Sequence, residues 1–376
     1  MNLIPGLLLS IIVMFIGIYG AELIGYLLIK LGLLSSNSKS PISSIFVAII
    51  LGIFIRNIFG VKQIFIEGIS FSMKYILRVG IVLLGFRLSL LEALKLGTLG
   101  IPLIIISIAS GLFITLYLTN KLKQSNRLGT LIACGTGICG VTAIMATSPV
   151  IKAKEDEISY AVANITIFGL TGMILYPFLA QWLLAGDPIK IGMFLGTAIH
   201  DTAQVTGSAL IYDQVFDMKQ VVDVATVTKL TRNLFIIGII PFVSYLYYKT
   251  LTEETTRNEQ NRTTQLPKWY TFIPLFVIGF LFFAFLRTVG DMTLANFGSA
   301  FGLFQASIWE LIYTTGSSFG TTYLLGMAMA GVGLSTDFRK FKGIGVKPFY
   351  IGFIAAVSVG MVSVVLISMF GSFITI

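Results

Sequence analysis

Charge is scarce in this chain: Asp, Glu, Lys and Arg make up 11% of 376 residues, against 56% hydrophobic. So small a charged fraction cannot cover the surface of a water-soluble fold of this length. Histidine occurs once, at His200, and cysteine twice, at Cys134 and Cys139. Both cysteines fall inside one apolar segment, which argues against a disulfide framework, and their spacing to His200 matches no zinc pattern. No Walker sequence is present, so ATP-driven transport by this chain alone is not expected. Without a convincing nucleophile and base pair or a metal cluster, an enzyme is not expected either. The apolar stretches are too many and too long to read as a cleavable leader ahead of a soluble domain.

What the chain does have is apolar length, with a mean hydropathy of +0.91. Segments able to span about 30 Å of hydrocarbon are read near 6–29, 42–56, 64–86, 98–119, 128–148, 158–184, 189–211, 222–248, 269–287, 303–334 and 346–374. The fold expected is therefore all-α, a single integral membrane domain over 1–376 with about 11 transmembrane helices. The tenth segment contains "TTGSSFGTTY" and could be two pieces, and the polar stretch from Lys249 to Lys268 reads as an exposed loop. The net charge of +9 does not point to nucleic acid, because the basic residues sit in short loops. With eleven helices, Lys and Arg in the loops after even-numbered helices outnumber those in the other loops 14 to 7. That bias favours a cytoplasmic N-terminus and an external C-terminus.

Two internal repeats organise the chain. "GFRLSLLEALKLG" at 85–97 aligns with "GVGLSTDFRKFKG" at 331–343, and 135–178 aligns with 196–242. In the second pair "GTGICGVTAI" and "GTAIHDTAQV" each precede an acidic loop and a helix ending in Pro-Phe. Eleven helices make the first pair inverted in topology, as in many transporters, but the second pair parallel. Those two results conflict unless a segment is re-entrant or the count is off by one.

An apolar helix interrupted by glycine leaves backbone groups unpaired, which hydrocarbon tolerates only beside protein or a water-filled cavity. The two interruptions therefore mark a candidate substrate site at Gly135, Thr136, Gly137, Cys139, Gly140, Thr142, Gly196, Thr197, His200, Asp201 and Gln204. Half-helix N-termini there would aim N–H groups at an anion, with threonine hydroxyls, Thr202 included, as further donors. Close helix packing by small residues is the structural alternative. Lys229 and Arg232 join the site, since each intramembrane charge costs roughly 2.5–3.5 kcal/mol and needs a reason. Glu22, Arg78, Arg87 and Glu310 are weaker candidates, each readable as facing a membrane interface.

The blocks "CGTGICGVTAIMATSPVIKAKEDEISYAVANITIFG", "GTAIHDTAQV", "VATVTKLTRNLF" and "GVGLSTDFRKF" resemble the YeiH-type family, whose name assigns sulfate export. The resemblance spans nearly the whole chain. It implies a bacterial inner-membrane transporter, similar in fold to the bile-acid symporter and NhaA-type antiporter group, with two broken helices crossing at the midplane. The family pattern has serines where Gly137, Thr142 and Ala198 stand here, so two hydroxyls are missing from the implied site.

The expected function is export of a small anion, sulfate or an organosulfonate, by alternating access. The alternative is a sodium/proton or other cation/proton antiporter using Asp201. Outward movement of a dianion down about 100 mV gains roughly 4.6 kcal/mol, at about 2.3 kcal/mol per charge. No resident cofactor or metal is expected, although H+ or Na+ could be coupled. The expected partners are the anion, the lipid bilayer and a second copy of the chain as a homodimer, with no nucleic acid.

Overall fold

The computed structural model of the chain describes residues 3–31, 43–254, 275–341, 346–371 and 374. Most of the polar loop expected at Lys249 to Lys268, and the end of the repeat copy at 331–343, lie outside the described residues. Among them, all secondary structure is helical apart from one isolated bridge between Ala300 and Phe304.

The helices in order are α1 (Leu3–Lys30), α2 (Ser44–Phe54), α3 (Gln63–Phe71), α4 (Leu77–Leu84), α5 (Leu90–Lys121) and α6 (Asn126–Gly137). Next come α7 (Val141–Thr147), α8 (Glu155–Leu183), α9 (Pro188–Ala198), α10 (Thr202–Phe216) and α11 (Gln220–Leu234). The last five are α12 (Ile236–Glu254), α13 (Leu275–Phe297), α14 (Ala306–Phe319), α15 (Gly326–Ser335) and α16 (Val346–Phe370). Local sequence sets several starts. Ser89 and Glu92 form a capping box on α5, and Asp187 caps α9 with Pro188 at its first position.

Six helices are long and apolar enough to cross a membrane, or seven if α11 and α12, bent by 45°, count as one span. An eleven-span count is therefore not confirmed. The second segment is a short apolar helix, Ser44–Phe59. The tenth is one helical run in which a π turn at Gly320–Leu325 joins α14 to α15, so its polar stretch does not split it. The segments at 128–148 and 189–211 differ most from expectation, because each folds back on itself.

Ser125, which caps α6, donates from Oγ to Glu157 Oε1 near the start of α8 at 2.7 Å. Leu128 near the start of α6, Ile151 after α7 and Ala161 of α8 share one apolar cluster. Helices α6 and α7 are thus the legs of a hairpin whose two ends lie at one face of the bundle, here termed proximal. The second hairpin, α9 and α10, mirrors this at the opposite, distal face. Along α8, Gln204 of α10 reaches Thr166, and further on Tyr212 hydrogen-bonds Gln181 while Phe216 meets Phe178. Gly186, ahead of α9, sits beside Met218, just past α10. Helix α8 therefore runs from the base of one hairpin to the base of the other. Twelve residues of α6 rise only about 18 Å, too little to span the membrane.

From the distal face α11 packs along α9, with Gly196 against Thr228, and α12 returns to the proximal face, where Arg127 bonds Tyr247. The hairpin–helix pairs 135–178 and 196–242 consequently run in opposite directions, because each hairpin starts and ends at the same face. The parity conflict came from treating both as crossing helices.

The helices pack as two groups. One holds α1, α2, α3, α4, α13, α14 and α15, and the other holds α5 to α12 with α16. In the first group α2 and α15 touch backbone to backbone: a Cβ placed on Gly52 would lie 2.7 Å from Leu334 N. Packing this close requires glycine. Between the groups, α2 and α15 meet α10, and α13 meets α5.

Candidate functional site

The two hairpin tips meet on one side of α11, and the chemistry of helix ends explains what gathers there. A half-helix ending in the interior presents carbonyl groups at its C-terminus and N–H groups at the N-terminus of its partner. At the C-termini stand the two buried cations. Arg232 donates from Nε to Gly137 O at 3.0 Å, from Nη2 to Thr136 O at 2.7 Å, and from Nη1 to Thr197 O at 2.6 Å. Lys229 donates to Ile138 O at 3.2 Å, to Ile199 O at 3.0 Å and to His200 O. One turn apart on α11, the pair closes the open ends of α6 and α9 and ties the hairpins together. Positive charge at two helix C-termini is the favourable sense of the macrodipole.

The acid stands at the other ends. Asp201 is the N-cap of α10, accepting from Ala203 N–H at 2.9 Å, and Gln204 completes a capping box by accepting from Asp201 N–H. Opposite it lies Gly140, which precedes α7 with φ of 61°. A Cβ built on Gly140 would be 3.1 Å from Asp201 Cβ and Oδ2. The tips therefore touch at Gly140 and Asp201, and one carboxylate serves the positive ends of α7 and α10.

The structure gathers most residues singled out in the sequence, but it redistributes their roles. Thr136, Gly137 and Thr197 supply carbonyls, while the Thr197 hydroxyl is spent on Met193 and Phe194 within its own helix. Gly135 is buried against Ile165 and Ile144 in the first hairpin, and Gly196 is buried on α11, both in packing roles. Cys139 is buried in the first turn, and Gln204 braces the second hairpin on α8 through Thr166 O at 3.3 Å. His200 is buried, with its Nδ1 unpaired. Thr142 is exposed, and Asp201 and Thr202 are partly so, which makes this the exposed side of the tips. The expectation that Lys229 and Arg232 grip an anion directly changes most, since all their nitrogens are engaged by backbone carbonyls. Among the described residues no three His, Cys, Asp or Glu side chains group as metal ligands.

Sequence reasoning missed Asn233. Its Nδ2 donates to Thr202 Oγ1 at 3.2 Å, and its buried Oδ1 is unpaired. The signal was available, because Asn233 is i+4 from Lys229 and so shares its helix face. Ser107 of α5, which donates to Thr197 O at 3.3 Å, carried no such signal.

A family profile described as "Conserved hypothetical protein 698" matches residues 5–352. The chain is 31% identical over 369 residues to a UPF0324 membrane protein of Streptococcus agalactiae, covering 98% of each. It belongs to the UPF0324 membrane protein family. This is the YeiH family that the motifs resemble. Similar relatives include a UPF0324 membrane protein of Fusobacterium nucleatum, 30% identical over 92% of this chain and 94% of that one. Another, from Bacillus cereus, is 31% identical over 86% of each. Membership and the apolar helices place the chain in the cell membrane as a multi-pass protein.

Proposed function

We propose that this UPF0324 protein is a secondary transporter moving a small anion, sulfate or an organosulfonate, across the bacterial cell membrane by alternating access. The observation that carries the reading is the tip-to-tip meeting of two hairpins entering from opposite faces. Interrupted backbone at that depth is tolerated where it lines a substrate path, and inverted pairs of this kind underlie alternating access. Two cations against one carboxylate bias the tips toward an anion. Because Lys229 and Arg232 are engaged, the anion is received on the exposed side, at Thr142, Thr202 and the helix N-termini that Asp201 occupies when empty. Asp201 must then be neutralised by protonation, which couples a proton to the anion.

Lys and Arg favour the proximal face, with Arg56, Lys62, Lys121, Lys123, Arg127, Lys152, Lys154 and Arg339 there, so that face is cytoplasmic. A second reading, cation/proton exchange, draws on Asp201 and the unpaired Asn233 Oδ1 as oxygen ligands.

Purified protein in vesicles with imposed voltage and pH gradients separates the two. Asp201→Asn is expected to keep anion counterflow within about threefold, less than 1 kcal/mol, while flattening its pH dependence. Loss of sodium/proton exchange in the same variant, with no anion flux in the parent, would establish the second reading instead.

A further inference from the structure

Among the described residues, the polar contacts between the two helix groups gather at the distal face. Arg87, on the 3-10 turn after α4, places Nε 2.9 Å from Asp223 Oδ1 on α11 and donates from Nη2 to Lys219 O at 2.8 Å. Nearby Gln214 of α10 accepts through Oε1 from Ser43 Oγ at 2.6 Å and from Ile45 N–H at 3.3 Å. That second contact puts a side-chain oxygen of one group on the N-terminus of α2 in the other. Leu90 N–H, donating to Thr288 Oγ1 at 2.7 Å, adds a third at the same face. Among the described residues the ion pair toward the proximal face, Arg56 to Asp337 at 3.0 Å, lies within the first group.

From these contacts we infer that Arg87–Asp223 and Gln214–Ser43 form a distal gate, holding the carrier closed on that face. The inference rests on the transport reading for its purpose but not for its test. The Arg87 pair is largely buried, with side chains 13% and 11% exposed. It therefore escapes most of the screening that makes surface pairs weak. Its position suits a gate. Arg87 sits where the chain leaves the first group to begin α5 in the second, and Asp223 sits at the start of the helix that carries Lys229 and Arg232. Opening the distal face has to part this pair, whereas opening the proximal face does not.

The test is labelling of Thr142→Cys in a Cys134→Ala, Cys139→Ala background with a membrane-impermeant maleimide, in intact cells and in inside-out vesicles. With the gate intact, labelling is expected in inside-out vesicles and to be slow from outside. Arg87→Gln is expected to raise outside labelling about tenfold, the shift a loss of about 1.4 kcal/mol from the closed state produces. Gln214→Leu is expected to act in the same direction by an independent contact. The exchange Arg87→Asp with Asp223→Arg is expected to restore slow outside labelling, which also controls for misfolding. Equal labelling from both sides in the parent, or unchanged outside labelling in both single variants, overturns the gate. Anion counterflow that persists with labelling indifferent to these variants removes the gate alone. Labelling that follows the gate without any anion flux removes the proposed substrate and leaves the gate standing.

Discussion

Arg232→Leu is expected to deplete the folded protein, not merely to weaken substrate affinity. Its guanidinium is the partner of the Thr136 and Gly137 carbonyls at the end of α6, and it also bonds Thr197 O. Leucine relieves the burial of a charge but leaves at least the first two carbonyls without their partner in a dry interior. At about 1–3 kcal/mol for each unsatisfied group, with the charge-assisted bonds lost as well, the variant gives up roughly 3–6 kcal/mol. That is a large part of the about 5–15 kcal/mol by which folded proteins persist. Size-exclusion profiles and thermal unfolding in detergent check it. A monodisperse variant of parental Tm that has lost only anion affinity would return Arg232 to the role of substrate ligand. Arg232→Lys is expected to fall between, since one ammonium cannot reproduce the planar fork.

Gly140→Val is expected to abolish transport while leaving the protein in the membrane. Gly140 has φ of 61° and ψ of −125°, a region that side chains disfavour, and β-branching worsens the clash. The new Cβ would also press on Asp201 at 3.1 Å, so Asp201 must give way by a few tenths of an ångström, and the valine methyls push it further. Backbone strain of this kind costs about 1–3 kcal/mol, less than the loss at Arg232. The functional effect is larger, because a tip displaced by about 1 Å can cost a hundredfold in rate. Counterflow in vesicles, beside a Tm from the same preparation, separates the two effects. Flux within about threefold of the parent would mean that the contact between the tips is incidental to transport. Gly140→Ala is expected to show the same pattern in weaker form.

Much of this site was legible in the sequence because breaking a helix in a membrane leaves a mark. Glycine-rich interruptions at Gly135 to Gly140 and at Gly196, with Lys229 and Arg232 one turn apart, pointed to one place, and the chain brings them together. What the charges do there was not legible. Helix C-termini and an anion both call for cations, and only the hydrogen-bond partners distinguish the two uses. The hairpins were hidden for a related reason. Hydropathy records that residues 128–148 are apolar but not whether the chain emerges where it entered, and the contact of Ser125 with Glu157 links residues whose pairing no periodicity encodes. Asn233 was readable by spacing on its helix, whereas Ser107 became relevant only through packing.

The span of chain between each carbonyl and its cation bears on biosynthesis. Thr136 and Gly137 are translated 96 and 95 residues before Arg232. At about 5–20 residues per second, roughly 5–20 s pass with the first hairpin made and its partner still inside the ribosome. During that interval the open end of α6 has no protein group to complete it, and hydrocarbon is a poor place to wait. The first hairpin is therefore best held at the aqueous boundary and drawn inward when α11 arrives. Nascent chains halted before and after Arg232 clears the insertion channel should differ sharply in protease protection of residues 126–147.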